Sequence, residues 1–459
     1  MAIYRWNIKV SWIWVGSWIL PIIQPSNPVR WQLWYDIENN KMYIYNWENW
    51  LEFATPKEPT VYRYMTLTID ESVSNPANMI TYTSQDAIDC TDWDKFFWVY
   101  PVLLDNSWNE YKKLNPNNFQ QFEDWSDASS YTASANYDVM IAFPRMWYKS
   151  SKSWDTITIS ITDDPHAESD WYKYYAHQRL NYSSQSATPD LLANCDVVDK
   201  DIFYVWAYKA FLSWTTLRSW YNQTPTVNNK IYYFTQYAHN HWIGWDQIWV
   251  AQKYLQEIYS LFKYKTTNLQ SALWRWYVDA SWSSYPGPNT WVDTYNKGMN
   301  YWTTSWTVPV KFLWMEHFYG WIWEWINGLN WNSNSVWNFS IPNLNWSNRY
   351  ASTSSTDSSY YYEPKWRRNL NWWSALSLTN WAYITKMSWE TEWVFLPINN
   401  SWGSETTYFT DYARWASDSR VAKFGGMWIN ASKCGAFFWV LNNAASNSDA
   451  NIGSRLMFL

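Results

Sequence analysis

The sequence has little cysteine, little glycine and no surplus of positive charge. Its three cysteines, Cys90, Cys195 and Cys434, are scattered, so they form neither a disulfide framework nor a zinc-ligand pattern. With 34 basic and 40 acidic residues, the chain lacks the positive excess typical of nucleic-acid binding. No apolar run is long enough to span a bilayer, and the broken apolar stretch 13–23 is not a clear signal peptide. We therefore expect neither nucleic-acid binding nor membrane insertion.

Glycine is scarce where tryptophan is abundant, with 11 Gly and 44 Trp in 459 residues. An ordinary protein of this length has about 7% glycine. Several tryptophans occupy turn contexts in which glycine is the usual residue, among them Asn46-Trp47, Ser107-Trp108, Ser153-Trp154, Ser213-Trp214 and Ser219-Trp220. One hypothesis is that UGA codons read as glycine by the organism appear here as tryptophan. The alternative is a Trp-rich carbohydrate-binding module that stacks rings on sugars.

Strand, turn and helix patterns, together with resemblances to known families, divide the chain into three regions. Residues 1–60 have strand-like runs around 31–36, 42–45 and 48–53. This pattern resembles the short β-hairpin repeats of phage tail and fibre proteins, which implies a small β-hairpin or attachment segment; the alternative is an ordinary β-meander. Residues 61–136 are predicted as a mixed β linker domain that begins with an alternating strand over 61–69. Residues 137–459 are predicted as one larger ligand-binding domain.

The larger region contains both strand and helix patterns. Strands are predicted over 137–145, 156–161 and 201–210, and a turn at Trp154 precedes the second of them. The stretch 248–263 places apolar side chains at helical spacing and predicts the best helix in the chain, with a second over 234–241. The expected fold class is α+β, with a C-terminal domain and a small β-rich N-terminal region.

A motif over residues 316–328, EHFYGWIWEWING, resembles a signature of the formylglycine-generating-enzyme-like variant of the C-type lectin fold. Trp323 and Trp325 match tryptophans of that signature, and the resemblance extends over about 137–459. It implies a lectin-like domain at the C-terminus, with Glu324 as a structural residue beneath a binding face. A pairing of Glu316 with Glu324 as glycosidase carboxylates is the less favoured interpretation.

The segment 420–459 resembles the variable region of proteins diversified by retroelements, in which adenine positions of a template are copied with errors. The matching framework positions are Gly425, Gly426, Trp428, Ser432, Gly435, Asn442, Asn443, Ser446, Asn447, Asn451, Ile452, Gly453, Arg455 and Leu456. The resemblance implies that the intervening residues are diversified ligand contacts. These contact positions are Met427, Ile429, Asn430, Lys433, Phe438, Val440, Asp449 and Ala450. The alternative is a Ser/Asn-rich loop of an ordinary β-rich domain.

The resemblance implies a hypervariable receptor-binding protein of the phage-tail type, located on a virion tail or cell surface. Its partner would be a cell-surface protein or glycan, and a homo-oligomer is left open. We expect no cofactor and no catalysis, and we leave any bound metal ion open. One enzymatic alternative is an oxidase of the formylglycine-generating type, but Cys434 lacks the second cysteine that such chemistry needs. The five histidines show no ligand spacing that defines a metal site.

Overall fold

Strands dominate the protein in this computed structural model, and they occur along the whole chain. The structure describes residues 12–15, 18–21, 33–36, 41–45, 50–54, 62–90, 96–181, 196–239, 245–263, 298–300, 311–331, 337–339, 378, 381–388, 395–400, 403–416, 420–427, 430 and 433–459. The chain divides into two compact units, Met1–Tyr62 and Arg63–Leu459. No helix among the residues just given is long and apolar enough to cross a membrane.

The first unit consists of short antiparallel strands. They are β1 (Trp12–Val15) paired with β2 (Trp18–Pro21), and a sheet of β3 (Leu33–Asp36), β4 (Lys41–Tyr45) and β5 (Trp50–Ala54). The last three strands follow the strand–turn–strand–turn–strand pattern that the sequence predicts. Trp47, a proposed glycine position, lies outside the described residues.

The second unit is built around two seven-stranded sheets. The first sheet has the spatial order β10 (Asn118–Phe122), β9 (Glu110–Asn115), β8 (Tyr100–Asp105), β11 (Tyr137–Pro144), β16 (Ile202–Trp206), β31 (Leu456–Phe458) and β19 (Trp245–Gln247). The second sheet has the order β23 (Trp337–Phe339), β22 (Trp323–Trp331), β28 (Arg420–Phe424), β29 (Trp439–Asn443), β27 (Tyr412–Trp415) and β24 (Ala382–Tyr383), with β30 (Ile452–Gly453) parallel to β22.

Smaller sheets complete this unit. A four-stranded sheet has the order β12 (Trp147–Ser153), β13 (Thr156–Thr162), β6 (Tyr64–Asp70) and β7 (Ile80–Tyr82). Four hairpin-like pairs are β14 (Gln178–Asn181) with β15 (Asp196–Asp199), β17 (Phe211–Ser213) with β18 (Thr216–Arg218), β20 (Lys311–Phe312) with β21 (Met315–Glu316), and β25 (Lys386–Ser388) with β26 (Leu396–Asn399).

Within the described residues, the helices are few and short, apart from one. They are α1 (Pro76–Met79), α2 (Gln85–Asp89), α3 (Ile231–His239) and α4 (Val250–Lys263), with 3-10 turns at Ala167–Asp170 and Tyr175–His177. Both predicted helices are therefore present. In α4 every residue from 250 to 262 is buried, polar positions included, because the helix packs against both large sheets. Tyr259 lies 6.2 Å, ring centre to ring centre, from Phe143 of the first sheet. The Glu257 carboxylate accepts a hydrogen bond from Trp439 of the second sheet.

The predicted α+β class, with a small β-rich N-terminal region and a separate C-terminal lectin-like domain, is wrong. Each of the two units contains β-sheets, and two strands of the region 64–122, β6 and β8, pair directly with later strands. β6 pairs with β13 over seven residue pairs, and β8 pairs with β11 over six. These pairings join residues that are far apart in sequence. They bury one continuous core, in which residues of the expected linker region, such as Leu67 and Leu103, are fully buried.

Candidate functional site

The second sheet places alternating residues on opposite faces, and this alternation organises the predicted binding segment. In β27, Ala413 and Trp415 are buried, whereas Tyr412 and Arg414 are only half-buried, as expected for a strand with one face toward the core. The pairing register places Arg414 opposite Val440, and Val440 opposite Lys423. We call the face that carries Tyr412, Arg414, Lys423, Phe438 and Val440 the outer face.

The outer face carries positive charge next to aromatic rings. The Lys423 Nζ lies 4.7 Å from the centre of the Trp323 ring, and the Lys433 Nζ lies 5.1 Å from that of Tyr412. The guanidinium carbon of Arg414 lies 5.4 Å from the Trp381 ring. Rings hold cations by their negative faces without neutralising the charge. The charges of the half-buried Arg414 and Lys433 therefore stay available to an acidic group, whereas Lys423 is buried.

Lys423 has an unusual environment for a lysine, because it is only 5% exposed. Its ammonium donates a hydrogen bond to the side-chain oxygen of Asn443. Burial lowers the pKa of Lys423 to about 7, although the nearby charge of Asp449 raises it and that of Arg414 lowers it further. Burial therefore makes the charged form of Lys423 less favourable than that of an exposed lysine.

Two predicted contact positions, Phe438 and Val440, are not at the surface. Both side chains are 0% exposed. The Phe438 ring packs 4.7 Å from the Trp323 ring and 6.4 Å from the Tyr412 ring, measured between centres. They form the floor of the outer face rather than its ligand-facing layer, because neighbouring side chains of the same face cover them. Their assignment as ligand contacts is therefore corrected.

Met427 and Asn430 form a reciprocal turn at one end of this face. The Met427 N–H donates to the Asn430 side-chain oxygen at 2.8 Å, and the Asn430 N–H donates to the Met427 carbonyl at 2.9 Å. Met427 is half-buried against the core. Gly426 precedes the turn with φ +80°, and a Cβ there would lie 2.3 Å from Cys434 Sγ. Only glycine fits this position. Ile429, between the two turn residues, lies outside the described part of the chain.

Asp449 and Ala450 occupy the loop before β30. Asp449 is exposed and Ala450 is half-buried. The Asp449 carbonyl accepts hydrogen bonds from the backbone N–H groups of Asn228 and Ile452, at 3.0 and 3.2 Å. The backbone of the loop is thus held in place while the Asp449 side chain faces solvent. Such a position tolerates substitution, because exposed side chains contribute little to stability.

The structure therefore separates the predicted contact positions into two layers. Lys433 reaches Tyr412, Asp449 acts electrostatically on Lys423, and the Met427–Asn430 turn is joined to the same segment through Cys434, whose thiol donates to the Met427 carbonyl. Phe438 and Val440 lie beneath. Sequence reasoning missed Tyr412, Arg414 and Lys423, although the alternation of polar and apolar residues in β27 is a signal for the first two.

The opposite, inner face of this sheet is anchored by a buried ionic cluster around Glu324. One carboxylate oxygen lies 2.7 Å from Lys209 Nζ and 2.9 Å from Arg455 Nε, and the other lies 2.6 Å from Lys253 Nζ. All four side chains are at most 1% exposed. Arg455 also donates to the carbonyls of Trp206 and Glu316. The cluster ties β22, α4 and the residues before β31 together.

Charge balance in this cluster keeps the carboxylate ionised. Burial by itself raises the pKa of Glu324, but the charges of Lys209, Lys253 and Arg455 together lower it below its ordinary value. A carboxylate held this way cannot serve as a proton donor near neutral pH. Among the described residues, no group of three His, Cys, Asp or Glu side chains is arranged to hold a metal ion.

Comparisons with known proteins are sparse. No protein-family model matches the chain, and no curated protein matches it. A solved structure, the Major Tropism Determinant U1 Variant, aligns over 94% of this chain and 95% of that chain, with 11% identity and a TM-score of 0.25. A TM-score this low does not establish a shared fold.

Proposed function

We propose that the protein is a non-catalytic binding protein whose outer face recognises a ligand and whose contact residues differ between copies of the gene. One observation carries the proposal. Lys433 lies over the Tyr412 ring of the outer face and the charge of Asp449 acts on Lys423, while Gly426 and the buried ion pair of Arg455 hold the backbone on either side of the segment 427–450. Side chains on such a frame can change without unfolding it.

The composition of the outer face favours an acidic partner. The half-buried Arg414 and Lys433 bring positive charge, and the exposed Asp449 is the acidic side chain near them. Arginine and tyrosine are also the residue types that carry much of the energy in protein interfaces. The proposed partner is a cell-surface protein or glycan with acidic groups. The proposed location is a virion tail or a cell surface, where several copies would add avidity.

Two libraries displayed on yeast test this proposal. The first randomises Met427, Asn430, Lys433 and Asp449, and the second randomises the buried positions Phe438, Trp439, Val440 and Leu441. We expect most members of the first library, and few of the second, to remain resistant to protease. Equal loss of protease resistance in both libraries would show that the outer positions belong to the core.

Selection then tests binding itself. The surviving members of the first library are sorted on whole bacterial cells of several strains, and different side-chain sets should be enriched on different strains. Enrichment that is independent of residues 427–449 contradicts the proposed binding face. For diversification, we expect a near-copy of the coding segment for residues 420–459 close to the gene, differing mainly at adenines. Its absence from the complete genome contradicts the retroelement mechanism but leaves the binding face testable.

A further inference from the structure

Left-handed backbone conformations in this protein fall on tryptophan far more often than chance allows. Among the residues that the structure describes, thirteen non-glycine residues have positive φ and seven of these are tryptophan, although tryptophan makes up only 44 of the 459 residues of the full sequence. The seven are Trp98, Trp108, Trp125, Trp154, Trp171, Trp214 and Trp314, with φ between 51° and 75°. A side chain with a Cβ is strained in this region, whereas glycine adopts it freely.

Two hairpins with two-residue loops show the pattern most clearly. Ser153 pairs with Thr156 across the β12–β13 turn, and Ser213 pairs with Thr216 across the β17–β18 turn. The first loop residues, Trp154 and Trp214, have φ of 56° and 57°, whereas the second ones do not have positive φ. That combination defines a type II′ turn, which takes glycine at its first central position.

Two further tryptophans, Trp171 and Trp314, lie in other kinds of turn at positions where glycine is preferred. Trp171 ends the 3-10 turn Ala167–Asp170 with φ 70° and ψ 14°, which is the left-handed cap that glycine usually supplies. Trp314 is the second residue of the two-residue loop between β20 and β21, after Leu313, and both have positive φ. A type I′ turn of this kind strongly prefers glycine at that second position.

Five of the seven rings, including that of Trp98 at 59% exposure, bury too little surface to offset the strain. Trp154 and Trp214 are 93% and 95% exposed, and Trp171 and Trp125 are 76% and 71% exposed. The other two pack: Trp108 lies 4.9 Å from the Phe458 ring, and the buried Trp314 donates its ring N–H to the Pro116 carbonyl at 2.8 Å. Other tryptophans behave differently. Trp325 is fully buried and donates its ring N–H to the Asn229 carbonyl at 3.2 Å. Tryptophan thus occurs in two unrelated roles in one chain.

We infer that the natural protein carries glycine at the five exposed left-handed positions, Trp98, Trp125, Trp154, Trp171 and Trp214, because its gene is decoded with UGA as glycine while the printed sequence shows tryptophan. Buried, hydrogen-bonded tryptophans such as Trp325 are true tryptophans. The inference is independent of the proposed function. It removes the most exposed rings from any sugar-stacking surface, so it also counts against a Trp-rich carbohydrate-binding module.

Peptide sequencing by mass spectrometry of the protein purified from its natural source tests the inference directly. Glycine is expected at positions 154, 171 and 214, and tryptophan at positions 323 and 325. Tryptophan at 154 and 214 in the natural protein overturns the inference.

Recombinant protein gives a second readout. The variant W154G/W171G/W214G relieves three strained positions, so its unfolding equilibrium constant should fall about tenfold per position relative to the printed sequence. The matched control Trp325→Gly should raise that constant instead, because it leaves a cavity. A triple variant that unfolds as readily as the printed sequence, or more readily, contradicts glycine at these turns.

Discussion

The two faces of the second seven-stranded sheet hold positive charge in opposite ways. On the inner face, three buried cations converge on the single carboxylate of Glu324. On the outer face, Arg414, Lys423 and Lys433 each lie over an aromatic ring. The inner arrangement depends on every member, because removing one leaves buried charge uncompensated. On the outer face each cation contacts a different ring, so replacing the half-buried Arg414 or Lys433 leaves the other contacts in place.

The largest effect is expected from the inner face. Glu324→Gln keeps the shape of the side chain but removes the charge that Lys209, Lys253 and Arg455 share. We expect it to lower the free energy of unfolding by about 4 kcal/mol, measured by urea denaturation. The exposed Glu123→Gln is the matched control and should change it by less than about 0.5 kcal/mol. A small effect of Glu324→Gln would mean that the cluster does not anchor the sheet.

The next largest effect concerns the floor of the outer face. Phe438→Ala removes a ring that packs against Trp323 and Tyr412, so we expect a loss of about 3 kcal/mol in the free energy of unfolding. Thermal and urea unfolding measure it. If this variant is as stable as the wild type, Phe438 is not part of the core and its predicted role as a ligand contact stands.

Lys423 predicts a pH dependence with a definite sign. Its pKa of about 7 in the folded protein lies below the ordinary lysine value, so the unfolded chain binds its proton more tightly. The contribution of Lys423 to stability is therefore complete above the unfolded pKa and is lost as pH falls toward about 7. Between pH 9 and pH 7, Lys423→Met should reduce the fall in stability by about 2 kcal/mol relative to wild type. Parallel pH curves for the two proteins would contradict this environment for Lys423.

The smallest effect on stability, and the largest on binding, is expected from the two predicted contact residues Lys433 and Asp449. Lys433→Ala and Asp449→Ala should each change the free energy of unfolding by less than about 0.5 kcal/mol. Once a ligand is selected, each should change its affinity, and Lys433→Ala should also weaken the salt dependence of binding. Calorimetry in low and high salt measures both effects. Lys112→Ala, on a distant hairpin, is the control and should leave affinity unchanged.

Individual strands and helices could be predicted from the spacing of apolar residues in the sequence. The alternation in 156–161 and the helical spacing in 248–263 correspond to β13 and α4, because both patterns depend on neighbours in sequence. The fold class failed because the pairing of β6 with β13 and of β8 with β11 joins distant residues, which periodicity does not report. Of the tryptophans predicted at turns, Trp108, Trp154 and Trp214 have positive φ, whereas Trp220 does not.

The sequence predicted which segment contributes to the candidate site, but not which of its residues are buried. The segment 427–450 does border the outer face, yet the run of apolar residues from 436 to 441 has no polar alternation that separates inside from outside. Both faces of β29 are covered, so Phe438 and Val440 are as deeply buried as Trp439. Only the register with β27 and β28 shows which face each residue occupies. The upstream residues Tyr412 and Arg414 enter the site for the same reason.

The position of β31 has a consequence for synthesis of the protein. This strand, Leu456–Phe458, lies inside the first sheet, with β16 on one side and β19 on the other, and Arg455 just before it completes the ionic cluster. The first sheet and the ionic cluster therefore cannot be completed until residues 455–458 have been synthesised. A polypeptide truncated within the segment 427–450 lacks both features. It leaves β16 and β19 without the strand between them and Glu324 without one of its three cations, so we expect it not to reach the native state.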